Sequence, residues 1–167
     1  MDPWSLGCAG ALTAILVALS VIDLRTGYLP DPLQIALAVF GVGVVLVGSP
    51  VEISWQFAAT GALMNGALFW GLRWLISRLK GREAMGFGDV KLVAAGGIWV
   101  GPFALPYIMA AGGVLTLLGA VIAGLATGKP VWRGEMPLGP GLAAGILFCF
   151  IADLMNVPWL ALVPHGL

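Results

Sequence analysis

Apolar residues fill this chain in long blocks, and the polar residues between them are few and clustered. The first block, Trp4–Ile22, holds 19 residues without a charge, close to the ~20 needed to cross the hydrocarbon of a bilayer. Asp23–Pro32 follows as a short polar loop, with Pro30 and Pro32 preventing helix continuation. The second block runs from Leu33 to about Val47. At ~1.5 Å per residue it is short for a bilayer, so it extends through Ser49-Pro50 or sits in a thinned one. Glu52 marks the next connection, and the third block runs from about Ile53 to Leu72, continuing as helix through Trp74-Leu75-Ile76.

A basic stretch comes next: Arg73, Arg78, Lys80 and Arg82, then Lys91, with Gly86-Phe87-Gly88-Asp89 between the last two. The uncharged part of the fourth block, Leu92–Val100, is only nine residues long before Gly101-Pro102. It must borrow length from the Gly-Phe-Gly-Asp segment if it crosses. The fifth block is about Phe103–Leu125, a polar loop holds Lys129, Arg133 and Glu135, and the sixth starts near Leu138 and passes Asp153 towards Leu162. The blocks predict an all-α, polytopic membrane bundle of about six helices, with the N-terminus outside.

The positions of the basic residues test that count. With six spans and the N-terminus outside, all eight (Arg25, Arg73, Arg78, Lys80, Arg82, Lys91, Lys129 and Arg133) fall in loops one, three and five or at their flanks. That is the positive-inside pattern. Without a fourth crossing, Lys129 and Arg133 would move outside and the pattern would break. The same parity places Asp23 and Asp89 together on the cytoplasmic side.

Composition agrees. Of 167 residues, 60% are hydrophobic and 10% charged, with a mean hydropathy of +1.01, against about 25% charged residues in a soluble domain. The length fits one domain. A net charge of zero gives no electrostatic case for nucleic-acid binding. Cys8 and Cys149 lie inside apolar runs, no Cys-x-x-Cys exists and His165 is the single histidine. A metal site is therefore not expected, and the cysteines read as small packing residues. Asp2 stands where a cleavable signal would carry basic residues, so the N-terminus reads as a first transmembrane helix.

Asp23 and Asp89 are the candidate chemistry. A carboxylate at the edge of a hydrocarbon phase is costly, and Asp23 near a helix C-terminus also meets the negative end of the macrodipole. The plain alternatives are a residue that stops the first helix, for Asp23, and an N-cap, for Asp89. Glycines at 86 and 88 let backbone pass close to the carboxylate and leave room for an extended peptide. Asp31 reads as a loop or N-cap residue and Asp153 as interfacial, while Gln34, Gln56 and Asn65 read as interhelical hydrogen-bonding groups. Gly97–Gly101 and Gly141–Gly145 are Gly-x-x-x-Gly pairs, packing faces by default, through which a homodimer is one option.

Three segments together resemble the type IV prepilin peptidases, integral membrane aspartic peptidases. They are Ile22-Asp23-Leu24-Arg25-Thr26-Gly27-Tyr28-Leu29-Pro30-Asp31, Met85-Gly86-Phe87-Gly88-Asp89-Val90-Lys91-Leu92 and Met136-Pro137-Leu138-Gly139-Pro140-Gly141, the last with Leu138 where Phe is usual. The resemblance implies that Asp23 and Asp89 form a catalytic dyad supported by a loop of Gly86, Phe87, Gly88 and Lys91. It also implies structural turns at Pro30, Pro137, Gly139 and Pro140, and no cofactor or metal. Two carboxyls sharing a site do not easily both ionise, so one pKa rises and the pair holds one proton.

The implied substrate is a prepilin or pseudopilin with a short basic leader and an apolar helix, cut at the cytoplasmic face of a bacterial inner membrane. Larger members carry an N-terminal extension with paired Cys-x-x-Cys motifs associated with N-methylation. This sequence begins at its first helix, so the resemblance implies a short, peptidase-only form. Two other classes compete. A small transporter or proton channel would hold ionisable groups at mid-membrane, often in repeated halves, and no repeat is visible here. A non-catalytic assembly factor would not need the aspartates. Presenilin-type enzymes share the Gly-x-Gly-Asp tetrad but carry Tyr before the first Asp, where Ile22 stands here.

Overall fold

A computed structural model of the chain describes residues 2–81, 86–127 and 138–157. These residues form six helices and no strand: α1 (Pro3–Thr26), α2 (Asp31–Gly48), α3 (Trp55–Lys80), α4 (Phe87–Val100), α5 (Leu105–Thr127) and α6 (Gly139–Leu154). Among them, α1, α2 and residues Leu105–Ile122 of α5 are long and apolar enough to cross a membrane. The fold is a helical membrane bundle, as the hydrophobic blocks predict.

Helix ends follow local chemistry. Asp2 caps α1, accepting from the Ser5 backbone N–H at 3.4 Å and from the Ser5 hydroxyl, which satisfies orphan donors of the first turn. α1 ends where Gly27 takes a left-handed conformation (φ 64°) and its N–H donates to the Asp23 carbonyl at 2.7 Å. Asp23 therefore lies in the last turn of α1, whereas the sequence places it at the start of a loop. α2 begins at Asp31 rather than Leu33, with Pro32 inside its first turn, where proline's missing N–H costs nothing. α4 starts at Phe87 and so takes the length it needs from the Gly-Phe-Gly-Asp segment. α6 ends at Leu154, with Met155 as its C-cap, before the stretch towards Leu162 that the sequence suggests; Lys129, Arg133 and residues 158–162 lie outside the described residues.

Contacts fix the direction of each helix. Trp4 of α1 donates from its indole to the Gly48 carbonyl at the end of α2, at 2.8 Å, so these two are antiparallel. Gly61 of α3 meets Gly97 and Gly101, Gly66 meets Ala94, and Arg73 lies over Phe87, so α3 and α4 are antiparallel. Gly112 meets Gly141 while Ile108 meets Gly145, so α5 and α6 are antiparallel. Trp99 packs edge-on against Phe150, and Gly96 against Ile146, which makes α4 and α6 parallel. α4 thus reverses the chain between α3 and α5, as the charge parity requires.

α4 is the hub. Ten of its 14 residues are buried, enclosed by α2, α3 and α6. At 1.5 Å per residue it is about 21 Å long, less than the ~30 Å hydrocarbon. Close approach replaces length. A Cβ at Gly97 would collide with the Gly61 backbone, and one at Gly61 with the backbone of Gly97 and Gly101. Asn65, fully buried, donates from Nδ2 to the Gly101 carbonyl at 3.0 Å, the interhelical role expected of it. A Cβ at Gly141 or Gly145 would likewise strike α5. Both Gly-x-x-x-Gly pairs are therefore spent inside the chain, and the homodimer face suggested for them is already covered. Cys8 and Cys149 are buried and free, as packing residues would be. Asp153, in the last turn of α6, is buried.

Candidate active site

Antiparallel packing brings six helix ends to one side: the C-termini of α1, α3 and α5 and the N-termini of α2, α4 and α6. All five described basic residues (Arg25, Arg73, Arg78, Lys80 and Lys91) lie in that half. Asp23 and Asp89 are there too, both buried, at 6% and 8% exposure.

Asp23 projects from the last turn of α1 towards the start of α6. The Gly139 backbone N–H donates to its Oδ2 at 3.1 Å, an orphan donor of a helix N-terminus meeting an acid. A methyl group at Gly139 would stand 2.5 Å from Asp23 Oδ2. Gly139 is there because the acid and the helix backbone must touch.

Asp89 is the third residue of α4, not its N-cap; Gly86 holds that position in an extended conformation. The Asp89 side chain reaches back to accept from the Gly86 backbone N–H, as an acid at the third helical position does in a capping box. The segment expected to be a supporting loop is therefore mostly the first turn of α4: Gly86 caps it, and Phe87, Gly88 and Lys91 are helical. The backbone closes into a helix here because the orphan N–H at Gly86 finds its acceptor three residues on. Gly139 and Pro140 similarly open α6, and Pro30 caps α2. Pro137, Met85 and Met136 lie outside the described residues.

The two acids share a neighbourhood. Leu29, buried in the connection between α1 and α2, touches both sides: a Cβ at Gly88 would lie 3.0 Å from Leu29 Cβ, and one at Gly139 3.3 Å from its Cδ2. Gln34 holds that connection by donating from Nε2 to the Leu29 carbonyl at 3.3 Å. The sequence marks neither Leu29 nor the Gly139 amide as part of the site, because both act through tertiary approach.

Lys91 pairs with Asp31 across α2 and α4 at 2.7 Å. Phe87 has two cations near its ring, with Arg73 Cζ 5.7 Å and Lys91 Nζ 5.3 Å from its centroid. No cluster of three or more His, Cys, Asp or Glu side chains among the described residues is arranged to hold a metal ion. Two buried carboxyls at one end of a bundle are the kind of groups that can share a proton and activate water when they come together. Their place at helix ends, away from mid-bundle, is not what a transporter pathway requires.

The sequence model of the type IV leader peptidase family matches residues 10–128. The chain belongs to that family. Among curated relatives it is similar to the "Prepilin leader peptidase/N-methyltransferase" of Burkholderia pseudomallei, 40% identical over 144 residues, covering 82% of this chain and 43% of that one. The protein of the same name from Dichelobacter nodosus is 38% identical over 142 residues, 85% of this chain and 47% of the relative. The "Type 4 prepilin-like proteins leader peptide-processing enzyme" of Escherichia coli O78:H11 is 38% identical over 142 residues, 80% and 47% of the two chains. The chain spans about half the length of the curated relatives it matches. No solved structure matches. The family match includes Asp23 and Asp89 and stops before Gly139, whose amide the fold delivers to Asp23.

Proposed function

We propose that this chain is a membrane aspartic endopeptidase that removes the basic leader from prepilin- or pseudopilin-like substrates. Asp23 and Asp89 are its catalytic pair, working at the cytoplasmic face of a bacterial inner membrane. The observation that carries the reading is that two buried carboxyls, at the end of α1 and the start of α4, lie at the same end of the bundle beside Leu29 in a member of the leader peptidase family. The side of the membrane is supported by the collection of described basic residues in the same half of the bundle.

In this reading the pair holds one proton. The ionised member takes a proton from water, and the protonated member polarises the scissile carbonyl. The Gly139 and Gly86 N–H groups fix the two carboxyls in place. No covalent intermediate forms. The two groups titrate as a pair, with two apparent values and no single owner for either.

The test is co-expression with a candidate prepilin, scored by the gel shift that accompanies leader loss. Asp23→Asn and Asp89→Asn each abolish the shift while the variant remains folded in the membrane. Normal processing by either variant sinks the dyad.

A further inference from the structure

α2 and α3 scarcely touch each other, and both pack on α4. The gap between them is a recess in two parts. One part, about 440 Å³, is lined by Asp31, Gln34, Ala38, Lys91 and Ala94 among others. The second, about 470 Å³, is lined by residues including Leu46, Trp55 and Ala59. Ala62 and Ile98 line both, so the two parts form one continuous groove. From Asp31 to Leu46 it follows 15 steps of α2, about 22 Å at 1.5 Å per residue.

We propose that this groove seats the apolar helix of the substrate while its leader is cut, an inference that rests on the peptidase reading. Three observations select that occupant. First, the groove begins at the site: Gln34, at its head, lies 3.5 Å from where a Gly88 Cβ would be, one residue from Asp89. Second, small residues line it at Ala38, Ala59, Ala62 and Ala94, and small residues let helices approach closely in lipid. Third, Gln34 is only 3% exposed, and its Oε1 accepts no hydrogen bond among the described residues. A buried acceptor left empty is costly. A substrate main chain that unwinds between its helix and the aspartates carries free N–H groups to fill it. A lipid tail has no such donor. At the mouth, Asp31 is half-exposed, with its Oδ1 held by Lys91 at 2.7 Å.

The experiment uses the full chain carrying Asp89→Asn, in phosphatidylethanolamine/phosphatidylglycerol vesicles. The probe is a polypeptide with a basic leader and an apolar helix bearing single cysteines. Ala38→Cys and Ala59→Cys report on the groove. Leu118→Cys, exposed on α5, reports on the outer surface, and the parent with only Cys8 and Cys149 sets the background. Oxidative crosslinks are expected from positions 38 and 59 at least tenfold above those from 118. Position 38 should capture substrate residues nearer the leader than position 59 does. Equal or stronger capture at 118, or none in the groove, overturns the proposal; the latter is also the result for a groove filled by phospholipid. A second measurement needs no cysteine: Ala62→Trp, which fills the groove, should lower kcat/KM for the membrane substrate by about tenfold or more, the scale of a misfitted apolar pocket. Groove crosslinks without leader removal by the unmodified chain would sink the peptidase reading alone. Normal leader removal without groove crosslinks would sink the groove alone.

Discussion

The Gly139 backbone amide and the Asp23 carboxylate meet at 3.1 Å although 116 positions separate them. This bond ties the end of α1 to the start of α6 and leaves no space for a side chain at residue 139.

Gly139→Ala tests that relationship. Its methyl group would press on Asp23 Oδ2 and Leu29, and displacing a reacting group by about 1 Å costs on the order of 10²-fold in rate. Leader removal in membrane vesicles is expected to fall by about that factor. Gly113→Ala, where nothing lies within 4 Å of the added carbon, is expected to process normally. Equal rates for the two variants would show that the close approach of residue 139 to Asp23 is not needed for leader removal.

Gly61→Ala and Gly97→Ala probe the α3–α4 seam. Each adds a methyl where the facing helix presents backbone, so relief by a side-chain rotation is unavailable. Each is expected to cost about 1–3 kcal/mol, the usual range for overpacking, read as a lowered midpoint in detergent unfolding. Gly71→Ala on α3, with open space around it, serves as the neutral comparison.

Asn65→Ala removes the bond to the Gly101 carbonyl. Interhelical hydrogen bonds in membrane proteins average about 0.6 kcal/mol, with a maximum near 1.7, so a loss in that range is expected beyond the cavity cost. The same unfolding assay measures it, and an unchanged midpoint would mean that the bond adds nothing.

The Lys91–Asp31 pair is expected to be weak because both side chains are partly exposed, at 40% and 48%. A double-mutant cycle with Lys91→Met and Asp31→Asn should give a coupling of about 0.2–1 kcal/mol that shrinks as salt rises. A larger, salt-insensitive coupling would place the pair in a drier environment than its exposure indicates.

The block pattern disclosed six helices because lipid demands long apolar runs and leaves loops to the charges. Even the reversal made by α4 was readable, since the positions of Lys129 and Arg133 require it. Helix ends were less legible. Asp23 reads as a loop residue by polarity, yet the left-handed Gly27 four residues later ends α1. The two acids at one end of the bundle were legible as candidates from Gly86-Phe87-Gly88-Asp89 together with Ile22-Asp23. The Gly139 amide, Leu29 and the unfilled Gln34 acceptor were not. A main-chain donor looks the same at every position in a sequence, and only the crossing of α1 with α6 singles one out.

The brevity and enclosure of α4 have a consequence for biogenesis. A 14-residue helix lined by neighbours on nearly every side has little to offer surrounding lipid as it leaves the ribosome. It is expected to enter the bilayer as a hairpin with α3, glycine against glycine, before α6 packs on it. The bond between Gly139 and Asp23 is thus among the last contacts that synthesis can complete, because it waits for the last described helix.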